Sequence, residues 1–440
     1  MKTYDNLYED IISLPNLYKA YFRAKKGKKN LKFQRFDKNL NENLWKLHED
    51  LANKTYESSG YTVFYVKDYK KRKILAPSFR DHVLHHAIYN YLEEIYEQTF
   101  IFDSFACRKG KGTHFGLKRL KHFINKHSEN DYFIKCDISK YFYSIDHLKL
   151  KEIFAKKIKD KELLWLLGKI IDSHFEENIP AHIFNPFTLN QEKGIPIGNL
   201  ISQLFANIYL NELDSFVKCQ LDIKDYVRYV DDFVILEKDK SKVGKIISEL
   251  KSFLENELYL KLEDKKIQVN KISFGVDFIG YVIFKRFTRV RTRNYRRFKN
   301  KLDEKFSQFW KNEISFEEIK CSLSSYFAHL SYTNSEKIKK RIVAVFLSRA
   351  VERGGGWDSG ANAGPFCAYL YDAPTNTYYG IGFRCCSGFL FWAGFLRKSC
   401  KLEMQLQPQS TCVENRRENL PLEGEIFPMN LDKKEEGEIK

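Results

Sequence analysis

Three aspartates stand where their carboxylates could act together. Asp137 lies near the end of a short apolar run at 132–138, and the adjacent pair Asp231 and Asp232 separates two apolar half-strands. Acidic residues are disfavoured within strands, whereas at a tight hairpin two adjacent carboxylates can project from the edge of a sheet. If the Asp137 strand lies beside that hairpin, the three carboxylates converge.

Converging carboxylates repel one another and are stable only with a cation between them. Hard oxygen ligands favour Mg²⁺. Two such ions can activate a 3′-hydroxyl and stabilise a leaving pyrophosphate in an in-line displacement. The pattern therefore predicts a site for two Mg²⁺ ions, with Mn²⁺ as a substitute. The alternative is a pair of hairpin-turn aspartates and an unrelated aspartate at a strand end.

The surrounding elements that must position these aspartates alternate between helix and strand. Apolar residues recur at helical spacing or in short runs, which is the main signal for each type of element. The spacing predicts helices over 81–99, 199–214, 242–257, 296–310 and 314–330, and the runs predict strands over 132–138, 226–230, 233–236 and 276–284. This alternation around an acidic hairpin predicts an α+β palm followed by a helical domain.

Positive charge is concentrated in the first 350 residues of the 440-residue chain. The whole chain carries +17, and residues 351–440 contain ten basic and twelve acidic residues. Residues 1–350 therefore contain 64 basic and 45 acidic residues, a net charge of +19. A region this basic indicates a polyanionic partner, most simply nucleic acid. A soluble protein that merely has a high isoelectric point would carry the same net charge.

Several classes of protein are excluded by composition. The first ten residues are acidic where a signal peptide needs an apolar stretch, and the longest apolar run, Gly388–Leu396, has nine residues, too few to span a bilayer. Nine cysteines without a CxxC pair argue against a zinc ribbon and against a secreted disulfide framework. We therefore expect a cytoplasmic protein with no membrane partner.

Four segments, in order along the chain, resemble the sequence blocks of reverse transcriptases. They are KCDISKYFYSIDH (135–147) for the first catalytic block, GIPIGNLISQLFANIYLNELD (194–214) for the template- and nucleotide-contacting block, YVRYVDDF (226–233) for the YxDD block, and VDFIGYVI (276–283) for the primer grip. The resemblance extends from about Tyr61 to Ile342. It implies an RNA-directed DNA polymerase that uses template RNA, a primer and dNTPs to make cDNA.

The resemblance also implies the domain organisation of an α+β, right-hand polymerase. Its fingers and palm contain an antiparallel sheet, its thumb is helical, and a short atypical extension follows. The expected segments are an N-terminal helical segment (1–60), fingers and palm (61–285), a thumb (286–345), a Gly-rich repeat-like segment (350–390) and a disordered tail (391–440).

Family positions assign roles around the aspartates. Asp137 and Asp231 would be the main metal ligands and catalytic residues, supported by Asp232 and by Ile138. Phe142 falls where the family keeps an aromatic steric gate against the ribose 2′-hydroxyl; on its own it would read as a core aromatic. Lys266 falls near the leaving pyrophosphate, although an exposed lysine is the simpler explanation.

Further residues are expected to contact nucleotide or nucleic acid. Arginine pairs bidentately with phosphate oxygens, which suits the fingers segment that covers the triphosphate. The expected nucleotide contacts are Arg72, Arg80, Ile197, Gly198 and Gln203, and the expected template or primer contacts are Arg108, Ser202 and Gly280.

The second block narrows the type of polymerase. Residues 197–203 read IGNLISQ, where most reverse transcriptases have QGxxxSP. The form IGxxxSQ resembles the diversity-generating retroelements, bacterial or phage-encoded, whose polymerases copy a template-repeat RNA with errors at adenines and work with a small basic accessory protein. A group II intron maturase, a retron or defence-type polymerase and a non-catalytic RNA-binding protein are the alternatives.

The Gly-rich segment 353–386 resembles the end of the C-type-lectin-like, formylglycine-generating-enzyme-like domain that these elements diversify. About 34 residues are too few to bury the core of that domain. We therefore predict that the polymerase reading frame runs into the template repeat, with a fused binding module as the alternative.

Overall fold

A computed structural model describes residues 2–29, 31–67, 71–173 and 193–342, and these ranges contain thirteen α-helices, a further helical stretch over 336–342, and nine β-strands. Residues 1–339 form one compact unit. The predictions for the repeat-like segment, the tail and the last residues of the thumb fall outside the described ranges. Among the described helices, none is both long and apolar enough to cross a membrane.

The chain begins with four helices, and the first three of them pack against the long helix that follows the first two strands. The Asp160 carboxylate accepts hydrogen bonds from the main-chain N–H groups of Leu7 and Tyr8, both at 2.7 Å, and so ties the N-terminal helices to the later part of the chain. The elements are α1 (Tyr8–Ile12), α2 (Leu14–Ala24), α3 (Leu31–Lys38), α4 (Leu40–Ala52), the antiparallel strands β1 (Tyr61–Lys67) and β2 (Lys71–Pro77), and α5 (Phe79–Glu97).

A four-stranded antiparallel sheet forms the palm, in the order β4-β5-β3-β6. The two central strands each have four consecutive buried residues, because helices and loops cover both faces of the sheet there. The strands are β3 (Tyr132–Asp137), β4 (Tyr226–Tyr229), β5 (Asp232–Glu237) and β6 (Gln268–Lys271), and the helices are α6 (Thr113–Lys126), α7 (Tyr141–Ser144), α8 (His147–Lys157), α9 (Lys161–Asp172), α10 (Leu200–Ser215) and α11 (Lys240–Glu257).

A small antiparallel sheet and two helices follow, before the helical stretch over 336–342. They are β7 (Val276–Phe278), β8 (Tyr281–Ile283), β9 (Thr288–Val290), α12 (Thr292–Trp310) and α13 (Phe316–Leu330). The prediction of one strand over 276–284 is wrong, because Ile279 and Gly280 both have positive φ, 49° and 86°, and turn the chain into a hairpin. The prediction of an α+β polymerase fold is confirmed.

One buried ion pair fastens the palm hairpin to α10. The Arg228 guanidinium, 0% exposed, donates from Nε to Asp214 Oδ1 at 2.7 Å and from Nη2 to Asp214 Oδ2 at 2.6 Å. Tyr226 also donates its hydroxyl to Asp214 Oδ1 at 2.7 Å, and Arg228 Nη1 donates to the Val230 carbonyl at 3.1 Å. A bidentate pair without water is geometrically specific, so strand β4 has one position on the helix.

Removing one partner of this pair should be costly. We expect Arg228→Met to lower the free energy of unfolding by about 3–5 kcal/mol, because it leaves the Asp214 carboxylate buried and unpaired. The double variant Arg228→Met/Asp214→Leu should recover part of the loss. Urea unfolding measures both.

The control is Lys245→Ala, which breaks an exposed pair with Glu249 at 3.8 Å and should cost less than about 1 kcal/mol. An Arg228→Met variant no less stable than this control would contradict the role given to the pair.

Candidate active site

The register of the palm sheet brings the three aspartates to one end. Asp137, the last residue of β3, is paired with Asp232, the first residue of β5. Asp231 lies in the turn between β4 and β5, and its carbonyl accepts a hydrogen bond from the Ile138 N–H at 3.3 Å. The Asp137 strand thus lies beside the acidic hairpin, as the convergence of the carboxylates requires.

The turn that presents Asp231 is strained. Val230 precedes Asp231 and has φ of +57°, a conformation that β-branched residues rarely adopt. Such a residue costs about 1–3 kcal/mol and persists only where its surroundings fix it. The hydrogen bond from Arg228 to the Val230 carbonyl supplies part of that fixing.

Two lysines each pair with one aspartate of the cluster. Lys266 Nζ lies 2.7 Å from Asp137 Oδ1, and Lys135 Nζ lies 3.3 Å from Asp232 Oδ2. Burial works to lower the pKa of Lys266, but the hydrogen bond to Asp137 and the charges of the nearby carboxylates together outweigh burial and raise that pKa. Sequence reasoning placed Lys266 near the site and missed Lys135, whose only signal was its place two residues before Asp137 on the same strand.

The inner carboxylates resist ionisation. Burial, and after it the neighbouring Asp137 carboxylate, raise the pKa of Asp231 above its usual range. Burial raises the pKa of Asp232 to about 6, against the opposing effect of Lys135. Within the described residues, Asp232 Oδ1 is buried and has no hydrogen-bond partner. These are the properties of a carboxylate cluster that lacks enough positive charge.

The described residues include no group of three or more His, Cys, Asp or Glu side chains arranged closely enough to hold a metal ion. The donor set still fits divalent cations: it consists of carboxylate oxygens, one of them buried and unpaired. The Ile138 side chain is a hydrocarbon, so only its main-chain carbonyl could serve as a ligand.

The expected nucleotide side of the site is formed by β2 and by the loop before α10. Arg72, exposed on β2, is close enough to Asp231 to work against the rise in its pKa. Phe142 is half-buried against the core, and its carbonyl accepts a hydrogen bond from the Ile195 N–H at 2.8 Å. This position is compatible with both the steric-gate and the core reading of Phe142.

The loop at 197–199 is docked directly on β2. The Leu75 N–H donates to the Ile197 carbonyl at 3.0 Å. Gly198 has φ of +114°, and a Cβ there would lie 2.6 Å from Ile74 Cγ2. Glycine is therefore required both by the backbone conformation and by the approach of the fingers strand.

Asn199 is a residue that sequence reasoning did not single out. It directly precedes α10, the position where asparagine usually caps a helix, yet its side chain makes no capping bond. It is 1% exposed, and within the described ranges neither its Oδ1 nor its Nδ2 has a partner. The one sequence signal for Asn199 was its position before a helix. No sequence signal indicated that its side chain would be buried and unpaired.

Burial and pairing engage three of the predicted contact residues within the protein. Arg108, whose side chain is 5% exposed, bonds to the Glu97 carboxylate and to the carbonyls of Ile101 and Ser104, so its guanidinium helps to organise this loop. Ser202 is 2% exposed and points into the core of the palm.

Arg80 is likewise occupied. It pairs with Asp50 at 2.6 Å and bonds to the Glu57 carbonyl at 3.1 Å, which joins the N-terminal segment to α5. The remaining expected contacts stay accessible: Gln203 is exposed and lines a cavity of about 390 Å³ with Lys111. Gly280 forms the turn between β7 and β8.

Comparison with known proteins agrees with this geometry. Residues 66–283 match the family described as reverse transcriptase (RNA-dependent DNA polymerase). The chain is 27% identical over 307 residues to the group II intron-encoded protein LtrA of Lactococcus lactis subsp. cremoris, covering 55% of this chain and 50% of LtrA. It is 26% identical over 254 residues to protein YkfC of Escherichia coli K12, covering 50% of this chain and 65% of YkfC.

The structure also aligns with apo telomerase from Candida tropicalis, with a TM-score of 0.41 and 14% identity over 67% of this chain and 57% of that chain. The chain spans about half the length of LtrA and about two thirds of YkfC. Residues 66–283 thus resemble a reverse transcriptase domain in sequence.

The close docking of Gly198 on β2 generates a stability prediction. We expect Gly198→Ala to lower the free energy of unfolding by about 1–3 kcal/mol, because it adds a strained φ and a contact with Ile74. Adding Ile74→Ala should remove the contact and leave the backbone cost. The control is Gly110→Ala, where φ is also positive but nothing lies within 4 Å of the new Cβ. Equal melting temperatures for the two single variants would show that Ile74 does not press on this loop.

Proposed function

We propose that this reverse transcriptase domain is active and makes the chain an enzyme that extends a primer along template RNA, using dNTPs to produce cDNA. The observation that carries the proposal is the pairing of Asp137 with the Asp231–Asp232 hairpin at one end of the palm sheet. Both strands are central and buried, so the carboxylates are held by the most rigid part of the fold.

The catalytic roles follow from the positions of the side chains. Asp137, Asp231 and Asp232 would hold the divalent cations, Mg²⁺ or Mn²⁺. When bound, such cations activate the primer 3′-hydroxyl and stabilise the charge that develops on the pyrophosphate. The neighbouring Lys266 keeps its proton and can give it to the leaving pyrophosphate. Arg72 is placed to bind the triphosphate, and Phe142 to exclude the ribose 2′-hydroxyl.

Helix α12, in the predicted thumb, presents basic side chains for binding nucleic acid. Arg296, Lys299 and Lys301 are exposed along it. Lysine and arginine contacts to phosphates bind a hybrid duplex through its backbone and shape, without reading its sequence. A primer–template duplex is therefore the partner that suits this surface.

The finer assignment we propose is the polymerase of a diversity-generating retroelement, copying a template-repeat RNA with errors at adenines for mutagenic retrohoming. It rests on the resemblance of IGNLISQ (197–203) and on the position of Ile197, half-buried where β2 docks. An apolar side chain there gives a templating base no hydrogen bond, which would loosen base selection. A small basic accessory protein would be the partner.

A group II intron maturase is the second candidate, and the similarity to the group II intron-encoded protein LtrA favours it. The two candidates differ in what the protein does to RNA. A maturase would promote splicing of its intron RNA, whereas a retroelement polymerase would copy RNA with errors concentrated at adenines.

The polymerase proposal is tested by Asp231→Asn. We expect primer extension on an RNA template with Mg²⁺ to fall by more than about 100-fold, because the variant loses a charged ligand where charge develops. The control is Asp239→Asn, which alters an exposed carboxylate at the start of α11. A chelator should abolish extension, and Mn²⁺ should restore it. Extension by Asp231→Asn at the control's rate would contradict the proposal.

The retroelement assignment is tested by Ile197→Gln. We expect misincorporation opposite template adenines to fall, because glutamine restores a polar contact beside the templating base. Sequencing of cDNA made by the two proteins on one RNA measures the error spectrum. An unchanged adenine error rate would count against the role of Ile197, and accurate copying by the unaltered protein would count against the assignment.

A further inference from the structure

An exposed group of aromatic and arginine side chains lies at the far end of the palm from the aspartates. We call it the aromatic–arginine patch: Phe274, Phe284, Arg286, Phe287 and Arg289.

The position of the patch is fixed by contacts to the chain just before β3. Lys285 Nζ donates to the His127 carbonyl at 2.7 Å, and the Ser273 N–H donates to the Glu129 carbonyl at 2.9 Å. Asp137 lies at the other end of β3, six residues long. At about 3.3 Å per residue, the patch is therefore on the order of 17–20 Å from the carboxylates.

Two of the aromatic rings stack on each other, and the third follows the neighbouring main chain. Phe274 is 70% exposed and Phe287 is 42% exposed. Phe287 stacks on Phe284 with ring centres 4.4 Å apart and planes at 20°. A Cβ at Gly275 would lie 2.6 Å from the Phe284 ring, so that ring lies over the main chain next to Phe274. Large rings exposed together are unusual on a protein surface and mark binding sites.

The charge around the rings is positive. The Arg289 guanidinium carbon lies 5.1 Å from the centre of the Phe284 ring. The Arg286 side chain is 89% exposed, and its contact with Glu129 is loose, at 3.8 Å. Asp131 is engaged by His127 at 2.9 Å, and Asp277, in the same cross-strand row as Arg289, is paired with Arg291. The arginines are therefore accessible to an anionic ligand.

We propose that the aromatic–arginine patch is a second nucleic-acid site, which binds a single strand. Unpaired bases stack on exposed aromatic rings, and arginines bind the adjoining phosphates. A duplex would not suit the patch, because its bases already stack on one another. The positive charge favours a polyanion over an apolar protein surface. The site is separate from the carboxylates and does not depend on the proposed polymerase chemistry.

The test is binding of a fluorescent oligonucleotide of about ten residues, oligo(U) RNA or oligo(dT) DNA, by the full chain whose polymerase cleft is already filled with a hairpin primer–template. The variant is Phe274→Ser/Phe287→Ser, and Phe274→Tyr/Phe287→Tyr keeps the rings. We expect the serine variant to bind the oligonucleotide at least about tenfold more weakly, and the tyrosine variant to bind normally. The KM for dNTP and the kcat on the hairpin should not change. The RNA and DNA arms tell whether template or product strand is preferred.

The matched control is Leu148→Ser, which removes a side chain that is 62% exposed on α8. Unchanged oligonucleotide binding by the serine variant would overturn the proposal. So would a change only in self-association, measured by sedimentation, because the patch would then be a protein interface. If the serine variant does not fold, cross-linking of 4-thiouridine RNA to the unaltered chain decides: cross-links within 274–289 support the site, and cross-links confined to other segments overturn it.

Discussion

The ion pair between Arg228 and Asp214 is the contact on which the geometry of the active site depends. Arg228 belongs to the strand that leads into the acidic turn, and Asp214 belongs to the helix that follows the 197–199 loop. One fully buried, bidentate pair therefore fixes the carboxylates in position relative to the expected nucleotide pocket. The same guanidinium donates a hydrogen bond to the carbonyl of Val230, the residue with strained backbone next to Asp231, and so helps to fix the acidic turn itself.

The second governing feature is the shortage of positive charge among the carboxylates. Lys266 and Lys135 each pair with one aspartate, whereas Asp231 pairs with neither lysine, and one oxygen of Asp232 has no hydrogen-bond partner among the described residues. Burial raises the pKa of both inner aspartates, which is a cost that the folded chain bears. That cost is understandable if the cluster has its full complement of charge only with divalent cations bound. Lys266 and Lys135 would then leave Asp137 and Asp232 when the cations bind.

Sequence patterns were enough to predict what depends on local signals. The apolar runs beside Asp137 and around the Asp231 pair predicted the central strands within two residues, and the order of the blocks predicted an α+β polymerase fold. The single strand predicted over 276–284 failed because the apolar pattern continues through Ile279, whereas the backbone turns there. Periodicity reports burial, and a tight turn between two buried strands leaves it unchanged.

Side-chain roles that depend on distant partners were beyond such patterns. The sequence predicted Arg108 as a template contact, but in the structure its guanidinium donates hydrogen bonds to Glu97, eleven residues away. Asn199, with its unpaired amide, and the Leu75 bond to Ile197 depend on how the fingers approach α10, which no local spacing encodes.

The central claim is that Asp137, Asp231 and Asp232 jointly hold divalent cations, and anomalous diffraction from Mn²⁺ tests it most directly. Crystals of the full chain with an RNA template, a DNA primer and Mn²⁺ should show anomalous peaks between these carboxylates, with Lys266 moved away from Asp137. A complex with the primer end in the palm, no anomalous peak there and both lysine pairs intact would contradict the account.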